Sequence, residues 1–429
     1  MNLFKSFFKG DKVLWIIFAI FCLISIVEVF SASSTLTYKS GDHWLPITGH
    51  MKNIAIGVVA AWLIHRAPYK FLHWGYLIML LSWPLLLYVL VYAETVNGAQ
   101  RWIDIFGFHF QPSEMAKMGA IFWVARILCI HQVDEKPSPH AFKWILIPTL
   151  ISLMLIVSEN LSTAVLLFAT VFLMMFVGQI PWKQIGKLTG SCILLAAVGI
   201  LMIKFVPTEW WKAAKLDRIS TWQTRLDTFF NEESVPAARF DINTHAQIAY
   251  ANIAIAGSNV IGKGPGNSVQ RDFLPQAFSD FIYAIIIEEL GLGGGFFVAL
   301  LYIILLIRIG KTAKNCDNTY YNLLIMGIGI LIGLQAMFNM LVAVGIMPVT
   351  GQPLPFISKG GSSLLINGCY MGILLNVSRY VIEKREQKEA EEEKKQTRIR
   401  DAATVLLQEA AERINLAEQE KKIGDSGMK

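Results

Sequence analysis

Residues 13–33 read VLWIIFAIFCLISIVEVFSAS, a nearly continuous apolar stretch. A helix of about 20 apolar residues crosses the hydrocarbon core of a bilayer, so this stretch predicts a membrane span. Three lysines precede it (Lys5, Lys9 and Lys12), and small residues end it, as in a cleaved signal peptide. Its length, and the apolar stretches that follow it, favour an uncleaved first helix instead.

The composition of the whole chain supports a membrane protein. Of 429 residues, 54% are hydrophobic and only 16% are charged, which is too little charge to cover a soluble protein of this size. We therefore predict an all-α, polytopic membrane protein with about ten transmembrane helices. The candidate spans are residues 13–33, 48–65, 71–93, 112–131, 143–158, 160–178, 188–206, 278–308, 323–346 and 361–379.

The net charge of +6 would indicate nucleic-acid binding in a soluble protein, but membrane proteins gather Lys and Arg in their cytoplasmic connections. Basic residues lie in alternate connections, at residues 65–70, 126–143, 183–187 and 308–314. With the N-terminus inside, these connections and both termini are cytoplasmic. The five cysteines are scattered without a CxxC pair, so neither a disulfide framework nor a zinc site is predicted.

We predict two domains. Residues 1–380 form the membrane domain, including a large extracytoplasmic loop at about residues 207–277 whose aromatic content predicts a folded, partly helical cap. Residues 381–429 are rich in Glu, Lys, Gln and Ala, and they predict a charged cytoplasmic helix. A docking surface for a partner is an alternative role for this tail.

Two polar motifs lie near the start of the fourth predicted span. Residues 111–117, QPSEMAK, place Glu114 and Lys117 on one helical face, where the two charges can neutralise each other. A structural ion pair and a role in substrate binding are both open for them. Upstream, Arg101 and Trp102 can bind a phosphate or simply anchor the chain at the membrane surface.

Asp280 is the main candidate for a catalytic group. It directly precedes the long eighth span, and a partly desolvated carboxylate at the mouth of a polar cavity can act as a general base. Capping of the helix is the alternative. Glu288 and Glu289 follow in the same span, roughly 12–14 Å deeper along one helix, where we expect internal hydrogen-bond or ion-pair partners.

Two glycine-rich loops complete the set of motifs. Residues 262–270, GKGPGNSVQ, do not match the nucleotide-binding pattern G-x-x-x-x-G-K-[ST], so we predict a tight re-entrant path rather than an ATPase site. Residues 347–363, MPVTGQPLPFISKGGSS, predict a rigid polar turn whose N–H groups, with Lys359, can bind a phosphate; a purely structural loop is the alternative. We expect three outer loops to converge around Asp280.

Together and in this order, the motifs resemble those of the FtsW/RodA/SpoVE family of shape, elongation, division and sporulation proteins. The resemblance covers most of the membrane domain. It is carried by residues 98–104, 111–117, 274–291 and 347–363, with Gln335 and Asn339. Residues 96–99, 264–270 and the Ser362-Ser363 ending are more similar to FtsW, the division member, than to RodA.

The resemblance implies a ten-helix fold and an inverting glycosyltransferase that polymerises lipid II into peptidoglycan at the outer face of the bacterial cytoplasmic membrane, at the septum. It implies a class B penicillin-binding transpeptidase and other divisome proteins as partners, and it places the essential aspartate of the family at Asp280. A divalent cation is the candidate cofactor. We predict substrate contacts from Arg101, Trp102, Gln111, Ser113, Glu114, Lys117, Ser358, Lys359, Gly360, Gly361, Ser362 and Ser363. We predict structural polar roles for Glu288, Glu289, Gln335 and Asn339.

The chain departs from the family pattern at several positions. The motif P-E-A-H-T-D becomes PQAFSD at residues 275–280, with Gln276 for Glu and Phe278 for His, and Lys359 stands where Tyr is common. The motif P-D-L-G-T-A becomes ENLSTA at residues 159–164. A lipid II flippase, a RodA-like elongation polymerase and a scaffold that recruits a transpeptidase are the alternative functions.

Overall fold

The computed structural model describes residues 9–33, 44–92, 101–105, 108–133, 136–138, 140–158, 160–205, 246–274 and 277–426. Residues 207–245 of the predicted large loop, residues 98–100 of the upstream motif, and Gln276 lie outside the described residues. The chain divides into two units, Met1–Ser378 and Arg379–Lys429.

Helices dominate the described residues, and the predicted all-α fold is confirmed. The helices are α1 (Lys12–Ala32), α2 (Leu45–Arg66), α3 (Leu77–Tyr92), α4 (Pro112–Ile130), α5 (His140–Val157), α6 (Leu161–Val177), α7 (Trp182–Phe205), α8 (Ala246–Ala256), α9 (Ile282–Lys314), α10 (Thr319–Ala343) and α11 (Gly361–Ser426). Short antiparallel strand pairs join β1 (Ile103–Ile105) to β2 (Phe108–Phe110) and β3 (Gln132–Val133) to β4 (Lys136–Pro137). Single 3₁₀ segments lie at Tyr69–Trp74 and Gln270–Asp272.

Several of these helices are suited to cross a membrane. Within the described ranges, six are long and apolar enough: α1, α5, α9, α10, Ile47–Arg66 of α2 and Gly361–Gln408 of α11. Helices α3 and α6 are shorter apolar helices. Each predicted span coincides with a helix, but the boundaries differ. Helix α7 begins at Trp182 rather than at residue 188, because Lys183 and Lys187 lower the local hydropathy without preventing helix formation.

Helices α1 and α9 run antiparallel, as contacts at both of their ends show. Near the start of α1, Asp11 Oδ2 lies 2.7 Å from Arg308 Nε and 2.5 Å from Arg308 Nη2. Near the end of α1, the Ser31 hydroxyl donates a hydrogen bond to the Glu289 carboxylate. We call this end of the membrane unit the Ser31 face.

Helix α9 reverses direction at Gly291, whose φ of 73° and ψ of −177° are a conformation open almost only to glycine. The Tyr283 hydroxyl donates to the Gly295 carbonyl oxygen at 3.1 Å, although residues this far apart would be separated by about 18 Å in a continuous helix. Residues 282–290 therefore fold back against the residues that follow Gly291. A Cβ at Gly291 would lie 2.2 Å from the Val260 carbonyl oxygen, so no side chain fits there.

The segment before residues 282–290 lies away from the Ser31 face. It contacts the loop between α10 and α11, where Ser358 Oγ donates to the Ser279 carbonyl oxygen at 2.6 Å. The neighbouring Ile357 carbonyl accepts a hydrogen bond from Ser25 at 2.7 Å. Ser25 precedes Ser31 in α1 by about 9 Å of helix, so residues 278–280 lie deeper in the membrane unit than Glu289.

The reversal contradicts the predicted depths of the acidic residues. Along one continuous helix, Glu288 and Glu289 would lie deeper than Asp280. In the structure residues 282–290 run toward the Ser31 face, so the two glutamates lie at that face and Asp280 lies deeper. The prediction was wrong because hydropathy does not register a change of chain direction at a single glycine.

Gly291→Ala is expected to destabilise the protein by at least about 1–3 kcal/mol, the energy of this backbone conformation for a residue with a Cβ. The close contact with the Val260 carbonyl adds to that energy. Thermal unfolding of the purified protein in detergent measures the effect. Gly310→Ala is the matched control, because Gly310 lies in the same helix with nothing within 4 Å of an added Cβ. Equal unfolding temperatures for the two variants would contradict the reversal.

Candidate active site at the start of α9

The loop between α10 and α11 is held by side-chain amides. On α10, Gln335 Nε2 donates to the Pro353 carbonyl oxygen at 3.0 Å, and Asn339 Nδ2 donates to the Gln352 carbonyl oxygen at 2.8 Å. Gln352 Nε2 in turn donates to Thr163 Oγ1 on α6 at 2.9 Å. Buried irregular backbone needs such partners, because it has neither the bonds of a helix nor water to satisfy its polar groups. Gln335 and Asn339 therefore support the loop.

The same loop is joined to the segment that carries Asp280. Ser358 donates its hydroxyl proton to the Ser279 carbonyl, and the Lys359 backbone N–H donates to the Phe278 carbonyl oxygen at 2.9 Å. These two bonds hold consecutive residues of the loop against consecutive residues of the other segment. The position of Asp280 is therefore set by the loop as well as by α9.

The Asp280 side chain is half-buried and lies against the loop. Asn339 Nδ2 donates to its backbone carbonyl oxygen at 2.8 Å, and Ser279 Oγ donates to its Oδ1 at 3.0 Å. A Cβ at Gly351 would lie 3.4 Å from Asp280 Oδ2, so the carboxylate borders the Gly351 backbone. The N-cap of α9 is Phe281, without a side-chain capping bond, so the helix-capping alternative for Asp280 is wrong.

The ion pair between Glu114 and Lys117 lies buried in α4. Lys117 Nζ is 2.7 Å from Glu114 Oε1, and the lysine side chain has no exposed surface. The same Nζ donates to Gln335 Oε1 at 3.4 Å, which connects the pair to the amides that hold the loop. Of the two alternatives for this pair, the geometry favours the structural one, because each charge is neutralised in place.

A small pocket lies beside the first turn of α4. Arg101, Gln111 and Ser113 line it together with Asn160 and apolar side chains of α3 and α5. Asn160 is the N-cap of α6, whose first turn contacts the α10–α11 loop. The pocket is therefore a neighbour of the elements that position Asp280. Trp102 precedes β1 and is not among the residues that line this pocket.

Glu288 and Glu289 bind a different loop, residues 262–271. Lys263 Nζ lies 2.6 Å from Glu288 Oε1, and backbone N–H groups of the loop donate to both carboxylates at 3.0–3.3 Å. These N–H groups serve carboxylates, so they are not a phosphate cradle. Residues 262–271 of the large outer loop lie at the Ser31 face, so this part of the loop does not converge on Asp280 as expected. Within the described residues, no group of three or more His, Cys, Asp or Glu could hold a metal ion.

Three buried polar residues near the site were missed by the sequence motifs. Ser25 Oγ lies 2.9 Å from His50 Nε2. Because the Ser25 hydroxyl donates its proton to the Ile357 carbonyl, it accepts from His50 Nε2, which assigns the tautomer. Glu28 is also fully buried, and its two oxygens have no hydrogen-bond partner in the part of the chain described. Polar side chains inside apolar spans are costly, and that signal alone could have singled out these residues.

These features define a class: a many-span helical membrane protein in which a half-buried carboxylate lies beside a buried, proline-rich loop between two of its helices. Comparison with known proteins gives the family. The model of the family described as "Cell cycle protein" (FTSW_RODA_SPOVE) matches residues 11–383. The chain belongs to the FtsW/RodA/SpoVE family.

Relatives and solved structures agree with this family over nearly their whole length. A relative named "Probable peptidoglycan glycosyltransferase FtsW", of Coxiella burnetii, is 31% identical over 87% of this chain and 98% of its own. Stage V sporulation protein E of Bacillus subtilis is 30% identical over 86% of this chain and 97% of its own.

Two solved structures share the fold. A chain of a peptidoglycan synthase complex has a TM-score of 0.68 at 24% identity, covering 87% of this chain and 98% of its own. Rod shape determining protein RodA of Thermus thermophilus has a TM-score of 0.59 at 22% identity, covering 86% of this chain and 97% of its own.

Proposed function

We propose that this chain is a peptidoglycan glycosyltransferase that polymerises lipid II into glycan strands during septal cell-wall synthesis. The observation that carries the proposal is the half-buried Asp280 carboxylate beside the Gly351 backbone. Its segment is fixed by Asn339 Nδ2, which donates to the Asp280 backbone carbonyl, and by Ser358, which donates to the carbonyl of the preceding Ser279. The names of the full-length relatives support the reaction class.

In this mechanism Asp280 is the general base. It takes the proton from the 4-hydroxyl of the incoming lipid II sugar, whose oxygen then attacks the anomeric carbon of the growing strand. The bond from that carbon to the lipid diphosphate breaks with inversion from α to β. The half-buried position of Asp280 suits this task, because the carboxylate is held against the loop and is still accessible to a substrate hydroxyl.

The sidedness and the partner are parts of the same proposal. Residues 1–380 form the membrane domain, both termini lie in the cytoplasm, and residues 381–429 form a cytoplasmic helical tail. The active face is outside the bacterial cytoplasmic membrane, at the division septum, with a class B penicillin-binding transpeptidase and other divisome proteins as partners. The fold shared with a chain of a peptidoglycan synthase complex supports such a partner.

Labelled lipid II, given to the purified full chain with its transpeptidase partner, tests the reaction. We expect glycan strands that a muramidase degrades. The same preparation in vesicles reports lipid II transfer between leaflets, so a flippase would give transfer without strands. If neither the chain alone nor the complex forms glycan strands, the proposal is overturned.

Depletion of the protein in its own cells tests the division role. Loss of a septal polymerase leaves elongation intact, so we expect filaments. Rounded cells would instead assign the chain to elongation, as a RodA-like polymerase. Phase-contrast imaging of cell length and width distinguishes the two outcomes.

A further inference from the structure

The first turn of α11 offers hydrogen-bond donors that the helix itself does not use. Its first intrahelical bond joins the Leu364 N–H to the Gly360 carbonyl oxygen at 3.3 Å. The N–H groups of residues 361–363 precede that bond and have no acceptor within the helix. Ser362 has no exposed surface, and its hydroxyl has no hydrogen-bond partner in the described part of the chain. A buried hydroxyl without a partner is costly, so the Ser362 hydroxyl would gain from an acceptor placed at this turn.

Lys359 adds a positive charge directly before this helix turn. Its Nζ lies 5.1 Å from the centroid of the Phe278 ring, in a cation–π contact. Among the described residues, no carboxylate lies within 4 Å of its Nζ. Burial lowers the pKa of Lys359, because water no longer solvates the ammonium fully. An anion bound beside it would restore the lost stabilisation.

The other lysines that contact this site or the Ser31 face already have partners. Lys117 is neutralised by Glu114 at 2.7 Å, and Lys263 by Glu288 at 2.6 Å. Lys359 is different, because in the described part of the chain its ammonium lies over an aromatic ring and has no carboxylate within 4 Å. A helix N-terminus with a nearby unneutralised cation is the arrangement that binds phosphate groups in proteins.

The anion site and the candidate base lie on two joined segments. The Lys359 backbone N–H bonds to the Phe278 carbonyl, and Ser358 bonds to Ser279, which directly precedes Asp280. Lys359 and Asp280 nevertheless form no ion pair with each other within 4 Å. The cation and the candidate base therefore lie on joined segments without neutralising each other, as a reaction with a base on one side and an anionic leaving group on the other requires.

We propose that Lys359, Ser362 and the first-turn N–H groups of α11 bind the diphosphate of a lipid-linked sugar, with Phe278 holding the ammonium in place. The identity of the anion rests on the proposed function. When the bond from the anomeric carbon to the diphosphate breaks, the electron pair stays on the diphosphate oxygen, and these donors stabilise the added charge. The proton of the attacking hydroxyl passes to Asp280.

Phe278 and Lys359, two of the positions at which the motif resemblance is incomplete, meet in this site. The Lys359 ammonium lies over the Phe278 ring, so the two side chains contact each other. A lysine held by an aromatic ring keeps its charge unneutralised, which a lysine beside a carboxylate would not.

Binding of a polyprenyl diphosphate to the purified full chain tests the proposal. Lys359→Gln is expected to weaken it about 10- to 100-fold, the loss of one charge-assisted hydrogen bond, and Lys359→Arg is expected to stay within a few fold of wild type. Polyprenol, which lacks the diphosphate, is expected to bind equally to all variants. Lys311→Gln is the matched control, because Lys311 is an exposed lysine in the last turn of α9.

Two further measurements distinguish recognition of the diphosphate from recognition of the lipid chain, and the anion site from the proposed function. Inorganic pyrophosphate is expected to compete with the lipid for wild type but not for Lys359→Gln, which assigns recognition to the diphosphate rather than to the chain of the lipid. Equal polyprenyl diphosphate affinity of Lys359→Gln and wild type, with both folded by thermal unfolding, would overturn the anion site. If Lys359-dependent binding persists in a protein that makes no strands, the proposed function fails and the anion site stands.

Discussion

Asp280→Asn is expected to reduce glycan-strand formation by the purified complex about 100- to 10,000-fold, the usual contribution of a general base. Asparagine has nearly the size of aspartate and cannot accept the proton. The bond that fixes this position comes from Asn339 Nδ2 to the backbone carbonyl of residue 280, so the substitution leaves it in place. We therefore expect the Asp280→Asn variant to fold normally and to lose nearly all of its polymerising activity.

Asp317→Asn is the control for this variant. Asp317 is an exposed aspartate in the short connection between α9 and α10, so the same charge is removed far from the α10–α11 loop. Its strand formation should equal that of wild type. Gel separation of labelled strands measures both variants. Retention of more than half of the activity by Asp280→Asn would show that another group takes the proton.

Lys117→Ala is expected to destabilise the protein by about 3–5 kcal/mol, because it leaves a buried carboxylate without its counter-charge. Glu114 is 5% exposed, so water cannot replace the lysine. The loss also removes the contact with Gln335 Oε1, and with it part of the support for the α10–α11 loop. Thermal unfolding in detergent, or the yield of folded protein, measures the effect.

The double variant Glu114→Gln with Lys117→Met identifies the cause. It removes both charges and keeps the volume, so it should be considerably more stable than Lys117→Ala. Lys143→Ala, at an exposed lysine near the start of α5, is the control and should unfold like wild type. If Lys117→Ala unfolds like wild type but loses activity, the pair is not structural, and the substrate-binding alternative is correct.

Much of the fold could be predicted from local sequence. Each span is a continuous apolar stretch, and in lipid such a stretch must be helical to satisfy its own backbone. The amide residues Gln335 and Asn339 could be assigned supporting roles because polar side chains in apolar helices need partners. The helical spans and the supporting roles of these two amides were predicted from each segment by itself, without knowing which residues it contacts.

The depth of Asp280 could not be predicted in the same way. It depends on Gly291, where the chain turns back because a side chain there would collide with the Val260 carbonyl. Val260 lies 31 positions away in a different segment, and no local pattern records that collision. The same turn carries Glu288 and Glu289 to the Ser31 face, where the loop at residues 262–271 binds them.

By itself, the sequence determined that this is a helical membrane protein of many spans. It also singled out Asp280 as the candidate catalytic group. Both follow from hydropathy and motif order, which can be read along the chain. The tertiary structure alone decided that Asp280 lies deeper than Glu289 beside the α10–α11 loop, that Lys117 is neutralised by Glu114, and that the Lys359 ammonium lies over the Phe278 ring. Those facts depend on contacts between residues distant in the chain, which close packing and the need to pair buried charges select.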